Sequence, residues 1–339
     1  MIRLPAEWEK QEMILMAFPH SKTDWVNDMQ SAYSIFVKIA SAICFNQKLI
    51  ILVPKNDREK VKSMFCYHDR ISFVSYETND TWIRDFGPIT LFKDEKRVVK
   101  DFLFNAWGEK FEYEKDNLAT KYLHKNWHFG ISKLESVNFI LEGGSIDSDG
   151  AGRILTTTKC LLNPNRNHDK SKENIENILK KELGIEEILW LEHGYLAGDD
   201  TDSHIDMLAR FVSRETIVYI ECQDKKDEHF EELKKMQKEL KSFKQKNGKG
   251  YNLVPLPMPK PIYKDGKRLP ASYANFLITN SAVLLPIYKD ESDKIVIDIF
   301  KELFPDREII PLDSRRLIEQ GGSIHCSTMQ ICVDSEDKL

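Results

Sequence analysis

The chain has 339 residues, 41% of them apolar, enough for a sizeable core in one large α/β domain or in two or three smaller ones. Charged residues make up 30% and the formal net charge is −5, so there is no basic field to draw nucleic acid and only a slight pull on small cations. No apolar run is long enough to span a bilayer, and the N-terminal segment lacks the apolar stretch of a secretory signal, so neither a membrane partner nor export is expected.

A helix followed by a strand is expected five times along the chain. Residues 28–44 place Ala32, Ile35, Phe36, Ile39 and Ile43 at helical spacing, and the run from Lys48 to Val53 follows as a buried strand. A weaker unit leads from 56–64 into the strand from Ile71 to Ser75. In the third, Ser171 caps a helix whose apolar face is Ile175, Ile178, Leu179 and Leu183, and Gly184 stops it before the strand from Glu187 to Leu191. The fourth sets Phe230, Leu233, Met236, Leu240 and Phe243 on one face, with a lysine-rich opposite face, ahead of Tyr251 to Leu256. The fifth runs from Ser292 to Phe304, ends at Pro305 and leads into Glu308 to Ile310. The charged segment 223–250 reads as an exposed amphipathic helix with a turn at 246–250, not as a linker. Nothing marks a domain boundary, so residues 1–339 are expected to form one catalytic domain.

The six cysteines, at 44, 66, 160, 222, 326 and 332, include no Cys-x-x-Cys pair and no disulfide-like spacing. This is the usage of a reduced, cytoplasmic protein, and most of these thiols sit in apolar runs as buried, inert groups. Cys326 stands apart because it follows the flexible turn at Gly321 and Gly322, which makes it a candidate nucleophile. Three upstream clusters give that reading its weight: Trp82 to Pro88 with Arg84 and Asp85, Glu142 before Gly143 and Gly144, and His204 with Asp206. One thiol, one imidazole and three carboxylates suit attack on a substrate that is always cationic.

A guanidinium is such a substrate: it is planar, permanently protonated, and offers five N–H donors with no acceptor. Carboxylates must recognise it, and Asp85 and Asp206 are the natural pair, each charge-assisted bond contributing on the order of 1.5–3 kcal/mol. Trp82 can close one face by cation–π contact, the alternative being an internal Arg84–Asp85 pair beside a turn. His204 and Asp206, two apart, point to the same side of an extended segment. The alternatives are a structural pair or part of a two-histidine, one-carboxylate iron site; no other of the nine histidines stands in a partner motif, and no metal is expected. Glu142 is expected to orient His204 by accepting its second N–H, or else simply to end a strand before a hairpin over 145–150. His325 directly precedes the thiol and, by alternation, turns away from substrate, leaving His204 as the acid/base. The loop before His204 is strongly acidic, with Asp199, Asp200 and Asp202, which either meets cationic charge or caps the loop.

These clusters resemble the agmatine deiminase family, within the guanidino-group-modifying superfamily of arginine deiminases, peptidylarginine deiminases and amidinotransferases. The resemblance covers almost the whole chain: Pro5 to Gln11, Asp24 and Trp25, Asn79 to Pro88, Phe104 to Gly108, Leu141 to Gly144, Leu155 to Asn167, Asp199 to Asp206, Leu269 to Phe276 and Gly321 to Cys326. It implies a pentein fold, a five-bladed α/β propeller of ββαβ-type units around a pseudo-fivefold axis with the active site at its centre. It also implies hydrolysis of agmatine to N-carbamoylputrescine and ammonia, without metal or organic cofactor, in putrescine and polyamine biosynthesis. By matching positions, Cys326 is the nucleophile, His204 the acid/base, Asp85 and Asp206 the guanidinium clamp, and Glu142 the support of His204 and substrate. Trp82, Asp200 and Gly322 are the expected substrate-binding residues. The chain departs from the family pattern at Phe18, Ser203, Gln320, Ser323 and Met329, which bears on loop geometry and substrate fit.

Within the enzyme class the alternative is an arginine or peptidylarginine deiminase; outside it, a metal-dependent oxidase or a guanidine-binding module. Free arginine carries a carboxylate that wants a cationic clamp, for which Arg84, Arg166 and Arg210 are the candidates. A homodimer is compatible with the sequence.

Overall fold

In the computed structural model, which describes residues 1–66 and 69–333, five small sheets each combine an antiparallel pair with a parallel strand. Met329–Cys332, Gln11–Ala17, Lys48–Val53 and Ile71–Ser75 make the first, so the last strand of the chain pairs with one of its earliest and closes the ring. The others are Ile2–Arg3, Ile89–Lys93, Lys96–Leu103 and Lys133–Ile140; then Asp147–Ser148, Arg153–Thr157 and Glu187–Leu191; then Ala209–Phe211, Thr216–Glu221 and Asn252–Pro257; then Leu277–Ile278, Ala282–Ile287 and Glu308–Asp313. Before each parallel strand runs a helix: Met29–Cys44 and the short Arg58–Lys62 in the first sheet, then Ala119–Lys125, Lys172–Leu183, Phe230–Ser242 and Ser292–Leu303. The architecture is the five-bladed pentein propeller.

Local chemistry accounts for the clearest of these units. Lys48–Val53 is buried at every position after its first, as a strand paired in parallel on both edges must be. Ser171 and Asn174 form a reciprocal capping box at the start of Lys172–Leu183. Gly184 ends that helix in the left-handed conformation, with φ of +67°.

The expected five-unit count needs one correction. The helix–strand units at 28–53 and 56–75 belong to a single sheet, and the missing blade lies at 89–140. Its signal is weak for a physical reason. The helix Ala119–Lys125 spans only seven residues, and the strand Lys96–Leu103 carries the buried Lys100, whose charge is met at 2.8 Å by both Glu135 and Glu182. Hydrophobic periodicity cannot show a buried lysine that ion pairs make tolerable. The half-buried Cys44 and exposed Cys66 likewise depart from the expectation of buried thiols.

The five connections from sheet to sheet meet one another, and their contacts close a ring. Arg84 N donates to Cys326 O at 3.1 Å, Gly144 N to Asp85 Oδ1 at 2.9 Å, Ser272 Oγ to Met207 O at 2.6 Å, and His325 N to Asn275 O at 3.2 Å. Gly144 supplies the remaining join, since a Cβ there would stand 2.8 Å from His204 Nδ1 and 3.0 Å from Asp206 Oδ2. Loops held this way by rigid sheets are where reactive side chains can be fixed.

Gly184 also abuts the Ile2 carbonyl, which a Cβ would strike. Gly184→Ala should therefore cost roughly 1–2 kcal/mol from left-handed strain alone, and more from that collision. The expected result is a lower denaturant midpoint with an unchanged slope; an unmoved midpoint contradicts the account.

Candidate active site

A cavity of about 270 Å³ is lined by Trp82, Asp85, Trp107, His204, Gly322 and Cys326, with Asp24, Asp80, Asp200 and Glu319 also on its wall. Asp85 sits on the helical turn Ile83–Phe86 and is fixed at both oxygens: Oδ1 accepts from Gly144 N at 2.9 Å and Oδ2 from Trp107 Nε1 at 3.0 Å. Trp107 is presented by a strained backbone, with Ala106, Trp107, Gly108 and Glu109 all at positive φ between 48° and 99°. Trp82 is buried, and Gly322 passes so close to its ring that any side chain there would collide with it.

His204 and Asp206 come together through the short 3-10 turn Ile205–Met207, not through the extended segment expected from their spacing. Both approach Gly144, whose missing side chain lets Asp85, His204 and Asp206 crowd one point. His204 Nδ1 is 3.6 Å from Asp85 Oδ1, an ion-pair distance, and neither ring nitrogen has a hydrogen-bond partner among the described residues. Asp206 Oδ2 accepts from His325 Nδ1 at 2.8 Å, while Oδ1 is buried without a partner. The Cys326 sulfur lies 3.8 Å from Asp206 Oδ2 and accepts from Asn275 Nδ2 at 3.2 Å.

Glu142 is fully buried beside His204 but does not accept its N–H. Arg166 Nε takes both carboxylate oxygens, at 2.8 and 3.1 Å, and reaches Asp202 with Nη1 at 2.6 Å. Donor atoms of Glu142, Cys160 and His204 fall within 4.8 Å of one another, the one such set among the described residues. The guanidinium already seated on Glu142 opposes a metal cation there. The aspartates near His204 divide their work. Asp199 accepts from Thr201 N and Ser203 N and so shapes the loop, Asp202 pairs with Arg166, and Asp200 is left on the cavity wall. Ser203 stands at φ of +68°, which explains why a glycine suits that position.

Protonation follows from burial and from these neighbours. Burial, then Asp206 and Asp85, push the Cys326 thiol well up. Burial raises the Asp85 carboxyl to about 6 against the pull of His204, with Asp206 and Glu142 adding to the rise. For His204 burial works the other way, but Asp85, Cys160 and Glu142 outweigh it and hold the imidazole well above its usual value. The site thus sets a neutral thiol and an imidazolium beside Asp85, while Arg166 holds Glu142 and His325 holds Asp206.

The sequence did not single out Trp107, Asn275, Cys160 and Glu7 as parts of this assembly, and pointed to Arg166 only as a possible carboxylate clamp, although all five lie in quoted motifs. Their signal was position in those motifs; their roles depend on contacts between residues tens to hundreds of positions apart.

The sequence matches the profile of the Porphyromonas-type peptidyl-arginine deiminase family over residues 3–332. Among solved structures, a chain provisionally named a peptidyl-arginine deiminase is similar at 44% identity and a TM-score of 0.94, with 98% of this chain and 99% of that one covered. A cysteine-to-serine variant of C. jejuni agmatine deiminase with substrate bound is similar at 39% identity and a TM-score of 0.92, covering 98% and 97%. A Vibrio parahaemolyticus chain provisionally named an agmatine deiminase is 34% identical over 96% of each chain. With the match extending from the first strand to the last, this chain belongs to the Porphyromonas-type peptidyl-arginine deiminase family, alongside the agmatine deiminases it resembles.

Proposed function

We propose that the chain, acting as one catalytic domain, hydrolyses agmatine to N-carbamoylputrescine and ammonia by covalent thiol catalysis. One observation carries the reading. Cys326, His204 and Asp85 line one cavity, Asp206 Oδ2 lies 3.8 Å from the Cys326 sulfur, and Asp206 Oδ1 and both His204 nitrogens are buried without hydrogen-bond partners. Buried groups left open in this way suit a ligand that brings several N–H donors and a positive charge.

The guanidinium is held by Asp85 and Asp206, with Trp82 against the cavity wall. Its charge offsets the two carboxylates that hold the Cys326 thiol protonated, so the thiolate forms as substrate seats and the thiol proton passes to solvent. Sulfur then bonds to the guanidinium carbon to give a tetrahedral adduct. His204 donates a proton, the C–N bond breaks, ammonia leaves, and an S-alkylthiouronium remains. His204 next takes a proton from water, whose oxygen bonds to the same carbon. The adduct hydroxyl loses its proton to solvent as the C–S bond breaks, which releases the ureido product and returns the thiolate, reprotonated once product leaves. A ureido product of this kind fits a step before putrescine in polyamine synthesis, and six cysteines without disulfide-like spacing suit the cytoplasm.

The arginines argue for agmatine over free arginine. Arg84 hydrogen-bonds Gln330 and the His325 carbonyl, Arg166 holds Glu142 and Asp202, and Arg210 holds Glu7 and Asp147. Arg268 reaches the cavity wall but is tied to Asp227 and Glu228. Arg84 keeps Nη2 unpartnered but borders the separate cavity near Glu7, not the one lined by Cys326. On the wall at Cys326, Asp24, Asp80, Asp200 and Glu319 outnumber Lys267 and Arg268, which suits an ammonium better than an α-carboxylate. A peptidyl-arginine substrate, favoured by the relative at 44% identity, is the second reading.

Ammonia release from agmatine, arginine and a peptidyl-arginine, offered in parallel to chelator-treated protein, should be strong with agmatine alone. Turnover of either of the others in its place overturns the choice of substrate. Cys326→Ser should retain agmatine binding and lose turnover; an active variant would sink the mechanism.

Without substrate, Cys326 should alkylate slowly with iodoacetamide at pH 7, the rate still climbing past the ~8.5 of an ordinary thiol. A plateau below pH 7 would mean a preformed thiolate.

Asp200 reaches solvent, yet the loops around it, then the Asp199 charge, raise its carboxyl to about 6. Burial, opposed by the Thr81 N–H and aided by Asp24, raises Asp80 to about 7. Raised carboxyls are neutral below these values, so agmatine KM should rise as pH falls from 8 to 6. Asp200→Asn should raise KM by about two- to fivefold, the range of an exposed ion pair. A KM that this variant leaves alone removes Asp200 from amine recognition.

A further inference from the structure

Behind Asp206, away from the cavity that holds Cys326, lies a chain of buried ions. Arg210 Nε donates to Asp147 Oδ1 at 2.7 Å and its Nη2 to Glu7 Oε2 at 2.7 Å. His325 Nε2 meets the same Glu7 oxygen at 2.7 Å, and His325 Nδ1 meets Asp206 Oδ2 at 2.8 Å. Arg210 and Asp206 are fully buried and His325 is 2% exposed, so bulk solvent does not reach these partners. His325 borders a separate cavity of about 60 Å³ shared with Glu7 and Asp147, not the one lined by Cys326. Asn275 Oδ1 accepts from both His325 N at 3.0 Å and Cys326 N at 3.3 Å, which fixes the chain where the two side chains part.

An imidazole whose two nitrogens both face carboxylate oxygens satisfies both only as a doubly protonated donor. The ions then alternate in sign from Asp147 through Arg210, Glu7 and His325 to Asp206, where the series stops at Oδ1, buried and unpartnered. Burial works against ionisation of Asp206, but the His325 bond and charge, with His204 and Arg210, hold its carboxyl below the usual range. A guanidinium on Oδ1 would be the next cation in the series.

We infer that His325 is a positioning residue for substrate recognition: held by Glu7, it occupies Asp206 Oδ2 and keeps that carboxylate ionised and turned so that Oδ1 receives the substrate guanidinium. This rests on the guanidine-hydrolase reading. It gives a function to the histidine beside the nucleophile and to a glutamate more than three hundred residues away. Removing the imidazole leaves Asp206 buried with no counterion on its outer side, a condition that favours protonation or rotation of the carboxyl. Either change weakens the grip on a cation and leaves the grip on a neutral ligand largely intact.

The test uses Cys326→Ser as parent, so that ligands bind without turnover, and calorimetry with agmatine and with its neutral ureido product. Adding His325→Ala should weaken agmatine binding by about 10- to 100-fold, the worth of a charge-assisted hydrogen bond, while product binding changes by less than about threefold. His325→Asn, whose amide still donates to Asp206, should recover much of the loss. Glu7→Gln, which touches neither Asp206 nor the cavity that holds Cys326, should weaken agmatine in the same direction but less. If the parent binds agmatine and the alanine variant binds it equally well, the inference fails while the proposed function stands. Equal loss of agmatine and product, or failure of the alanine variant to fold, assigns His325 a purely structural role and also overturns it. A parent that binds no guanidine at all overturns the proposed function, and this inference with it.

Discussion

Three carboxylates, Asp85, Glu142 and Asp206, are buried within reach of one imidazole, and much of the structure serves to make that arrangement tolerable. An ionised group taken out of water costs several kcal/mol unless a partner and hydrogen bonds replace its hydration. Each carboxylate is treated differently. Glu142 is neutralised by Arg166, itself anchored by Asp202 and the Thr201 carbonyl. Asp206 leans on His325 and, through it, on Glu7 and Arg210. Asp85 takes hydrogen bonds from the Gly144 N–H and the Trp107 indole with His204 3.6 Å away, and burial raises its carboxyl to about 6. The charge that remains is on the side where a cationic substrate would sit.

Bringing these groups so close requires backbone that most residues cannot supply. Gly144 lies among Asp85, His204 and Asp206 with no room for a Cβ, and Gly322 passes against the face of Trp82. The segment Ala106 to Glu109 keeps positive φ through four residues, three of them not glycine, in order to aim Trp107 at Asp85. Such strain persists only where surrounding contacts over-determine it. Here Asn105 accepts from Gly108 N, and Asn165 packs against Gly108. Local instability near the site is thus held by the sheets around it, each of which joins antiparallel and parallel pairs.

Much of this was legible beforehand. Capping by Ser171, the stop at Gly184, the buried strand Lys48–Val53 and the amphipathic helices all follow from nearest-neighbour chemistry, and the structure has them where periodicity placed them. The reactive residue types also announced themselves, because a thiol, an imidazole and carboxylates beside glycine pairs are unusual company. One blade escaped notice because its helix is short and its strand hides a lysine made bearable by two glutamates from other elements.

By itself, then, the sequence determined the elements, the inventory of reactive groups and, through its motifs, the family. Only the tertiary structure decided which partners those groups take. Glu142 turned to Arg166 and not to His204, His204 and Asp206 met through a tight turn, and His325 found both Glu7 and Asp206. The reason is range: capping and periodicity act over three or four residues, whereas a buried charge is satisfied by whatever ion the closed ring of sheets brings within about 3 Å, however distant in the chain.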